Sequence, residues 1–141
     1  MHLAHIGVAV KDIEAAGRLF RDVLGATPAS GVVEDPEQQA MLQMFRSGGG
    51  YVELVAPASE ASHVQHVLAR SGEGPIHLCF ETEDLDAALA TARNQGVLVF
   101  RPPVAATLFG GKRVAFGMLP NRMVVEFVEA GWQEAMAGPE D

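Results

Sequence analysis

The 141-residue sequence contains a single cysteine and few basic residues, and both shortages restrict the function of the protein. Cys79 has no partner for an internal disulfide, which favours a reducing compartment such as the cytoplasm. Ten Lys and Arg residues stand against 18 Asp and Glu residues, giving a formal net charge of −8. Nucleic-acid-binding domains present a basic face, so this composition argues against a nucleic-acid partner.

Long apolar runs are also missing. The first ten residues, MHLAHIGVAV, contain neither the basic region of a signal peptide nor an apolar run of membrane-spanning length. We therefore expect a cytoplasmic protein with no membrane partner. A chain of this length suits one compact domain, and we predict a single domain over residues 1–141.

The sequence does contain an internal repeat. His77 aligns with His5 at an offset of 72 residues, and Glu126 aligns with Glu53 at an offset of 73. Each copy reads as a strand carrying the His, a helix that follows an Asp cap, a Gly that ends the helix, and further strands of which the last carries the Glu. A repeat of this kind predicts that one structural unit occurs twice in the fold.

Each copy is predicted to be a βαβββ module, with the first over 3–56 and the second over 76–129. A connecting helix and hinge occupy 57–75, and a tail over 130–141 is expected to be frayed from Trp132 onward. A four-stranded sheet with one helix cannot cover both of its faces. We therefore predict an α+β fold in which two paired modules form an open, cupped, eight-stranded barrel-like sheet with helices outside. Pseudo-twofold symmetry would bring equivalent strands of the two modules to its centre.

Two details of the strand prediction are specific enough to check. A second strand is expected over 29–33, and a long loop over 102–112.

Because an open sheet leaves edges and helix faces to be covered, we also predict a homodimer.

Four residues carry the predicted chemistry: His5, Glu53, His77 and Glu126. If each module presents one His and one Glu to the concave face, pairing brings together two imidazoles and two carboxylates. This donor set suits a divalent Co, Ni, Zn, Mn or Fe ion, and the lack of a thiolate argues against a structural zinc site. Taken singly, each could be an exposed His or a solvent-facing strand Glu. Glu126 is the hardest to explain in that way, because it lies in the apolar segment VVEFV and an unpaired buried carboxylate is costly.

Other candidate residues have simpler explanations. Lys112 and Arg113, in the segment GGKR, could bind an anionic substrate or belong to an ordinary hairpin loop. His63 and His66 lie three residues apart on a predicted helix and are most simply exposed to solvent. Cys79 shares a strand face with His77 and is most simply a small buried residue.

Four segments of the sequence resemble one known superfamily. HIGVAVKDIEAA, SGEGPIHLCFETEDLDAAL, GGKRVAF and VVEFVE are similar to the vicinal oxygen chelate superfamily of glyoxalases, bleomycin-resistance proteins and dioxygenases, over Leu3 to Glu129. Within it, the greatest likeness is to methylmalonyl-CoA epimerases. The resemblance implies paired βαβββ modules, usually a homodimer, a divalent metal in the cup and a small-molecule substrate, possibly an acyl-CoA. It also assigns the four ligand positions to the His and Glu residues of the repeat.

The sequence departs from the epimerase pattern at several positions. Ile76-His77 stands where the epimerases usually have two consecutive His residues. Leu119-Pro120-Asn121-Arg122 shortens the segment before the last strand. Leu42, with Gln43 beside it, stands where some epimerases carry an acid proposed as a catalytic base. These departures affect the substrate and the base rather than the ligand set.

We predict a metal-dependent isomerase of the methylmalonyl-CoA epimerase type, which polarises a carbonyl or thioester and moves the α-proton through an enediolate. Glu126 is the expected base, because its apolar strand should raise its pKa towards neutrality, and Glu53 is the second choice. A glyoxalase I-type lactoylglutathione lyase would use the same four ligands. An Fe(II) dioxygenase is less favoured, because Glu53 occupies a position that such enzymes leave open. A metal-free small-molecule or drug-binding member of the superfamily would have no need of all four residues.

Overall fold

The computed structural model describes residues 1–139, which form nine strands and four helices. In chain order these are β1 (His2–Ala9), α1 (Ile13–Asp22), β2 (Thr27–Pro28), β3 (Val33–Asp35), β4 (Ala40–Ser47), β5 (Gly50–Pro57), α2 (His63–Ser71), β6 (Gly74–Thr82), α3 (Leu85–Asn94), β7 (Leu98–Ala105), β8 (Arg113–Met118), β9 (Val124–Glu129) and α4 (Trp132–Ala135). No helix within 1–139 has the length and apolar character needed to cross a membrane.

All nine strands belong to one open sheet, and its two halves have equivalent strand orders from the centre outward. The order is β2-β4-β5-β1-β6-β9-β8-β7, with β3 pairing separately with β4. The two first strands of the modules, β1 and β6, are antiparallel neighbours at the centre. Each pairs on its other side with the last strand of its own module, in parallel, β1 with β5 and β6 with β9. The predicted α+β fold with paired modules is therefore confirmed, with nine strands in place of eight.

The additional strand arises because the predicted strand over 29–33 is interrupted. Two short strands, β2 and β3, pair with β4 on either side of this segment. Between them, the backbone amides of Ala29 and Ser30 both donate to the carbonyl of Met44, and the Ser30 hydroxyl accepts from the Met44 amide. The Ser30 side chain thus replaces part of the regular strand pairing, and the strand prediction for 29–33 is corrected.

Helices α1 and α3 cover the outer face of the sheet in equivalent ways. Each begins after an Asp whose side chain accepts from a backbone amide three residues on, Asp12 from Ala15 and Asp84 from Ala87. Such a cap is worth about 1 kcal/mol. Apolar residues beneath each helix form two separate outer clusters, while the third and largest cluster fills the inner face. Helix α2 differs, because its residue Val64 is packed in the inner cluster.

Two further segments differ from the sequence prediction. Strand β7 continues to Ala105, through residues that were expected to be loop, although its pairing with β8 shifts register on both sides of Arg101. The tail was expected to fray from Trp132, but this indole is completely buried and begins α4. Residues 140–141 of the tail lie outside the described range.

Candidate metal centre and active site

The pairing of the four central strands places one His and one Glu of each module on the same inner face. In the first module, Gly7 of β1 lies opposite Glu53 of β5, two residues after His5. In the second, Cys79 of β6 lies opposite Glu126 of β9, two residues after the equivalent His. Because side chains two residues apart share a strand face, each His and Glu point into the cup together.

A glycine at the centre of the sheet makes room for His77. Gly7 and His77 are directly paired across the β1–β6 interface, and a Cβ atom on Gly7 would collide with the imidazole ring. The equivalent pair in the other direction is His5 with Cys79. Each imidazole thus faces a small residue on the neighbouring strand, which allows both rings to reach the middle of the cup.

The four side chains of the repeat converge within one chain. The Oε1 atom of Glu126 lies 3.0 Å from the Nε2 atoms of both His5 and His77. The Oε1 atom of Glu53 lies 3.6 Å and 3.5 Å from the same two nitrogens, which are 3.4 Å from each other. One ligand atom from each residue falls within 4.8 Å of all the others, and all four residues are buried. The site predicted from the repeat is thus assembled without a second chain.

Burial and mutual pairing shift the pKa of each member of this cluster. Burial alone would lower the pKa of His5, but attraction to Glu53 and hydrogen bonding to Glu126 raise it to about 10. Burial would also lower the pKa of His77, but hydrogen bonds to the two carboxylates outweigh this effect and raise the pKa to about 9. The two carboxylates respond in the opposite direction, and the pKa of Glu53 is lowered by its attraction to His5 despite burial. Without a metal, the cluster is therefore two imidazolium–carboxylate pairs with no net charge at neutral pH.

The predicted rise in the pKa of Glu126 is wrong. Burial in its apolar strand does act to raise the pKa, as expected, but hydrogen bonds from His5 and His77 lower it to about 2. Glu126 is consequently a charged carboxylate across the physiological range. The sequence indicated the apolar strand but not the distance to the two imidazoles, which decides the sign.

The donor set and its spacing fit a divalent ion. Ligand atoms that each lie about 2.1 Å from one ion are about 3–3.5 Å apart, and the nitrogen and oxygen atoms of this cluster are 3.0–3.6 Å apart. The chemistry is also suitable, because imidazole and carboxylate together bind Zn, Fe, Co, Ni and Mn. Cys79 is not among the residues whose ligand atoms converge there, and burial and then the two carboxylates raise the pKa of its thiol well above the ordinary value.

The two ends of the cluster have different surroundings. The His5 end is closed by aromatic rings, with the centroid of Phe109 at 5.8 Å and that of Trp132 at 5.9 Å. The His77 end opens into a cavity of about 320 Å³. The walls of this cavity are mainly apolar: Gln38, Val55, His63, Val67, Ile76, His77, Phe100, Arg101, Phe116 and Val124. His5 is also among the residues around a second cavity of about 470 Å³, but its side chain is completely buried whereas that of His77 is not. A small ligand would therefore reach the cluster from the His77 side.

Comparison with known proteins identifies the family. A family model described as the glyoxalase/bleomycin resistance protein/dioxygenase superfamily matches residues 4–116. The chain belongs to this superfamily. Among curated relatives, the mouse mitochondrial methylmalonyl-CoA epimerase is 32% identical over 67% of the chain, and the chain covers 53% of that protein. The ethylmalonyl-CoA/methylmalonyl-CoA epimerase of Cereibacter sphaeroides is 30% identical over 81% of the chain and 85% of its own length.

A solved structure of a methylmalonyl-CoA epimerase has a similar fold. A variant of the Streptomyces coelicolor methylmalonyl-CoA epimerase, in complex with 2-nitronate-propionyl-CoA, superposes with a TM-score of 0.80. It is 30% identical, and the match covers 93% of this chain and 95% of that one. The chain spans about half the length of the mouse enzyme but most of the length of the two bacterial proteins.

Leu42 and Gln43, which stand where some epimerases carry an acid, lie on β4. In the pairing of β4 with β5, Leu42 lies opposite Val55, which lines the cavity, so Leu42 is on the inner face. Gln43 is on the outer face, where its amide nitrogen donates to the Ser30 carbonyl. No acid on this strand therefore faces the cup, and Glu53 and Glu126 are the carboxylates that the described residues bring to the site.

The structure does not bring Lys112 and Arg113 to this cavity. Arg113 forms ion pairs with Asp86 at 3.1 Å and with Glu129 at 3.2 Å. A substrate-binding role for these two residues stays a prediction. The cation that does line the cavity is Arg101, which sequence reasoning did not single out. The available signal was an Arg after the apolar strand segment VLVF and before Pro102-Pro103.

His63 is exposed to solvent and also contributes to the cavity, and only the exposure was predicted from the sequence. Its side chain lies at the mouth of this cavity. Partial burial, followed by the nearby charge of Arg101, lowers the pKa of His63. The imidazole is therefore neutral at physiological pH.

Proposed function

We propose that the protein is a metal-dependent isomerase of the methylmalonyl-CoA epimerase type. The convergence of His5, Glu53, His77 and Glu126 at the inner end of an apolar cavity is the observation that carries this proposal. The similarity to two bacterial epimerases over most of their length supports it, and one of these was solved with an acyl-CoA analogue. The substrate proposed for this chain is accordingly a small acyl-CoA whose α-proton is exchanged.

The four residues of the cluster would hold one divalent Co, Ni, Zn, Mn or Fe ion. When bound, such an ion supplies Lewis-acid stabilisation of negative charge on a carbonyl oxygen, an effect of several kcal/mol. The chain itself must then move the proton. Glu126 and Glu53 are the two candidates, and Glu126 is tested first, because neither the inner face of β4 nor the walls of the cavity provide another carboxylate within the described residues.

The protonation states of these two residues are compatible with that role. Each carboxylate has a lowered pKa in the metal-free cluster, so each is charged at neutral pH, as a base must be, but the same lowering makes each a weaker base. Glu53 is held less closely than Glu126, at 3.5–3.6 Å from the imidazoles against 3.0 Å. The apolar walls lower the local dielectric, which strengthens electrostatic interactions at the site.

Leu42 supports a second candidate in the same superfamily. Because β4 brings no acid to the inner face, a two-base epimerisation must rely on the ligand carboxylates. A glyoxalase I-type lyase needs only the four cluster residues. A metal-free binding protein is a weaker candidate, because it gives no reason to bury two carboxylates with two imidazoles. A cytoplasmic location remains a prediction.

The first experiment is elemental analysis of untagged protein, followed by reconstitution of chelator-treated protein with each of the five metals. Proton NMR of methylmalonyl-CoA in D₂O then follows the α-proton. Rapid loss of its signal with metal-loaded protein, and not with metal-free protein, is the expected result. Loss of the base in Glu126→Gln should slow exchange by about 10²–10⁴-fold at saturating metal. Glu83→Gln, at an exposed position, removes the same charge outside the site and should exchange normally.

Three results would change the assignment. Turnover of a methylglyoxal–glutathione adduct without exchange on the thioester would favour the lyase. Exchange that persists in Glu126→Gln but fails in Glu53→Gln would transfer the role of base to Glu53. Protein that neither contains nor takes up any of the metals would leave the binding-protein function.

A further inference from the structure

Arg101 is directed into the cup by an irregularity in the edge strand β7. Val99 pairs with Gly117 and Arg101 pairs with Phe116, so β7 advances two residues while β8 advances one. Such a bulge changes the face on which the following side chains lie. Pro102 and Pro103 then follow, and neither can donate to the ladder. Arg101 thereby joins Phe116 on the inner face of the sheet, and both line the cavity.

The guanidinium of Arg101 contacts a ring that itself contacts His77, and it has no acidic partner. Its Cζ atom is 5.9 Å from the ring centroid of Phe116, which in turn lies 5.5 Å from the centroid of His77. No carboxylate within residues 1–139 approaches Arg101 closely enough for a salt bridge, in contrast to Arg113 with its two acids. The ring contact leaves the N–H donors of the guanidinium available.

The charge that lines this cavity differs in sign from that of the chain as a whole. Acidic residues outnumber Lys and Arg by 18 to ten, yet the residues that line this cavity include Arg101 and no acid. The remaining polar groups, apart from His77, are Gln38 and His63, at the mouth on other elements of the fold. The lowered pKa of His63, caused first by partial burial and next by Arg101, is consistent with the two side chains sharing one opening.

We propose that Arg101 binds an oxyanion of the ligand, a carboxylate or a phosphate, at the outer end of the cavity whose inner end is His77. Methylmalonyl-CoA offers two such groups, a carboxylate on the acyl part and phosphates on the nucleotide part. Only this choice of ligand rests on the proposed epimerase function. The oxyanion site follows from Arg101 and the cavity.

Binding of four ligands to metal-loaded protein tests the proposal, with isothermal titration as the readout. Methylmalonyl-CoA carries both kinds of oxyanion, methylmalonyl-pantetheine without phosphates carries only the carboxylate, and propionyl-CoA carries only the phosphates. Free methylmalonate is the fourth. Arg101→Met keeps the packing against Phe116 but removes the donors. Its affinity for methylmalonyl-CoA should fall by about 10–100-fold, as expected for a hydrogen bond to a charged group.

Arg93→Met provides the matched control, because Arg93 is an exposed cation in the last turn of α3 and its loss changes the net charge equally. This variant should bind like the unmodified protein. A loss in Arg101→Met that persists with methylmalonyl-pantetheine and is absent with propionyl-CoA assigns the carboxylate. The reverse pattern assigns a phosphate. Either supports the oxyanion site.

The proposal is overturned if Arg101→Met binds all four ligands as tightly as the unmodified protein, or if the unmodified protein binds none of them. Failure of the epimerase function gives a different result. In that case the unmodified protein would not exchange the α-proton, while Arg101→Met would still lose affinity. Normal exchange with an unchanged KM in Arg101→Met would instead remove the oxyanion site and leave the epimerase function intact.

Discussion

At the scale of the residue, Gly7 has a requirement that can be tested without touching a ligand. Adding a methyl group in Gly7→Ala would force the His77 ring out of its place. We expect metal affinity to fall at least about tenfold, because misorienting one ligand of a site typically costs 10–100-fold in affinity. Competition with a chromophoric chelator measures this change, and circular dichroism checks that the fold is retained.

Gly49→Ala is the control for Gly7→Ala. Gly49 lies in the turn between β4 and β5, and a Cβ atom there would meet no other atom within 4 Å. This variant should bind metal normally. Normal affinity in both variants would contradict the close approach of His77 to β1.

The protonated imidazoles of the metal-free cluster predict how its stability depends on pH. The pKa values of His5 and His77 are raised from an ordinary 6.5 to about 10 and about 9. Their contribution to folding is therefore complete below pH 6.5 and is lost as the pH rises towards 9–10. The lowered pKa of Glu126, about 2 against 4.5, gives a contribution that is lost as the pH falls from 4.5 towards 2.

The free energy of unfolding of chelator-treated protein should therefore decline when the pH is raised from 6.5 to 9. Urea titrations at several pH values measure it. Metal affinity should rise over the same range, because a bound ion replaces the protons of both imidazoles. His77→Ala lacks one of these groups and should show a weaker decline. Stability of the metal-free protein that increases from pH 6.5 to 9 would contradict the pairing.

At the scale of the element, the short helix α4 is a structural part of the cup. Trp132 is fully buried, and its ring centroid lies 5.0 Å from that of Tyr51 and 5.5 Å from that of Phe109. Truncation in Trp132→Ala should lower the free energy of unfolding by about 3–5 kcal/mol, measured by urea titration. Trp132→Phe should cost less, because the buried indole N–H has no hydrogen-bond partner among the described residues.

Gln133→Ala, at the next and more exposed position, should have little effect. A loss below about 1 kcal/mol in Trp132→Ala would mean that the tail is not part of the core, as the sequence had predicted.

The elements that the sequence predicted well are those with local signals. Asp12 and Asp84 cap their helices through contacts three residues away, and a repeat that presents each signal twice makes them easier to find. The elements that it missed depend on partners distant in the chain. Ser30 replaces strand pairing by bonding to Met44, and Trp132 is buried by residues of other elements. Neither contact can be predicted from the residues adjacent to Ser30 or Trp132 in the sequence.

The candidate site follows the same division. The repeat indicated the four cluster residues because a His and a Glu recur at nearly one offset. It could not indicate the pKa of Glu126, which is set by distances across three strands. Arg101 was also missed, since its orientation depends on the register shift between β7 and β8 rather than on strand alternation.

At the scale of the whole molecule, the two modules share one pattern but serve different purposes at the site. The His5 end of the cluster is filled by Phe109 and Trp132, and the corresponding space at the His77 end is the cavity. Residues of the second module and of the tail thus fill the His5 end, whereas residues of both modules line the open His77 end. One open end is sufficient for a ligand to reach the cluster.

The same architecture leaves surfaces that favour association into a homodimer. The sheet is open, with β2 and β7 at its ends, and edge strands are commonly covered by a partner. Large apolar side chains are also exposed near the end of α1, where Leu19, Val23 and Leu24 are 59%, 71% and 62% exposed. We expect light scattering at micromolar concentration to give about twice the 15.0 kDa chain mass.

Val23→Glu should shift the mass towards the monomer if α1 forms the interface, whereas Ala90→Glu, on the exposed face of α3, should not. A 15 kDa particle for the unmodified protein would contradict the dimer but not the metal centre, because all four ligands come from one chain.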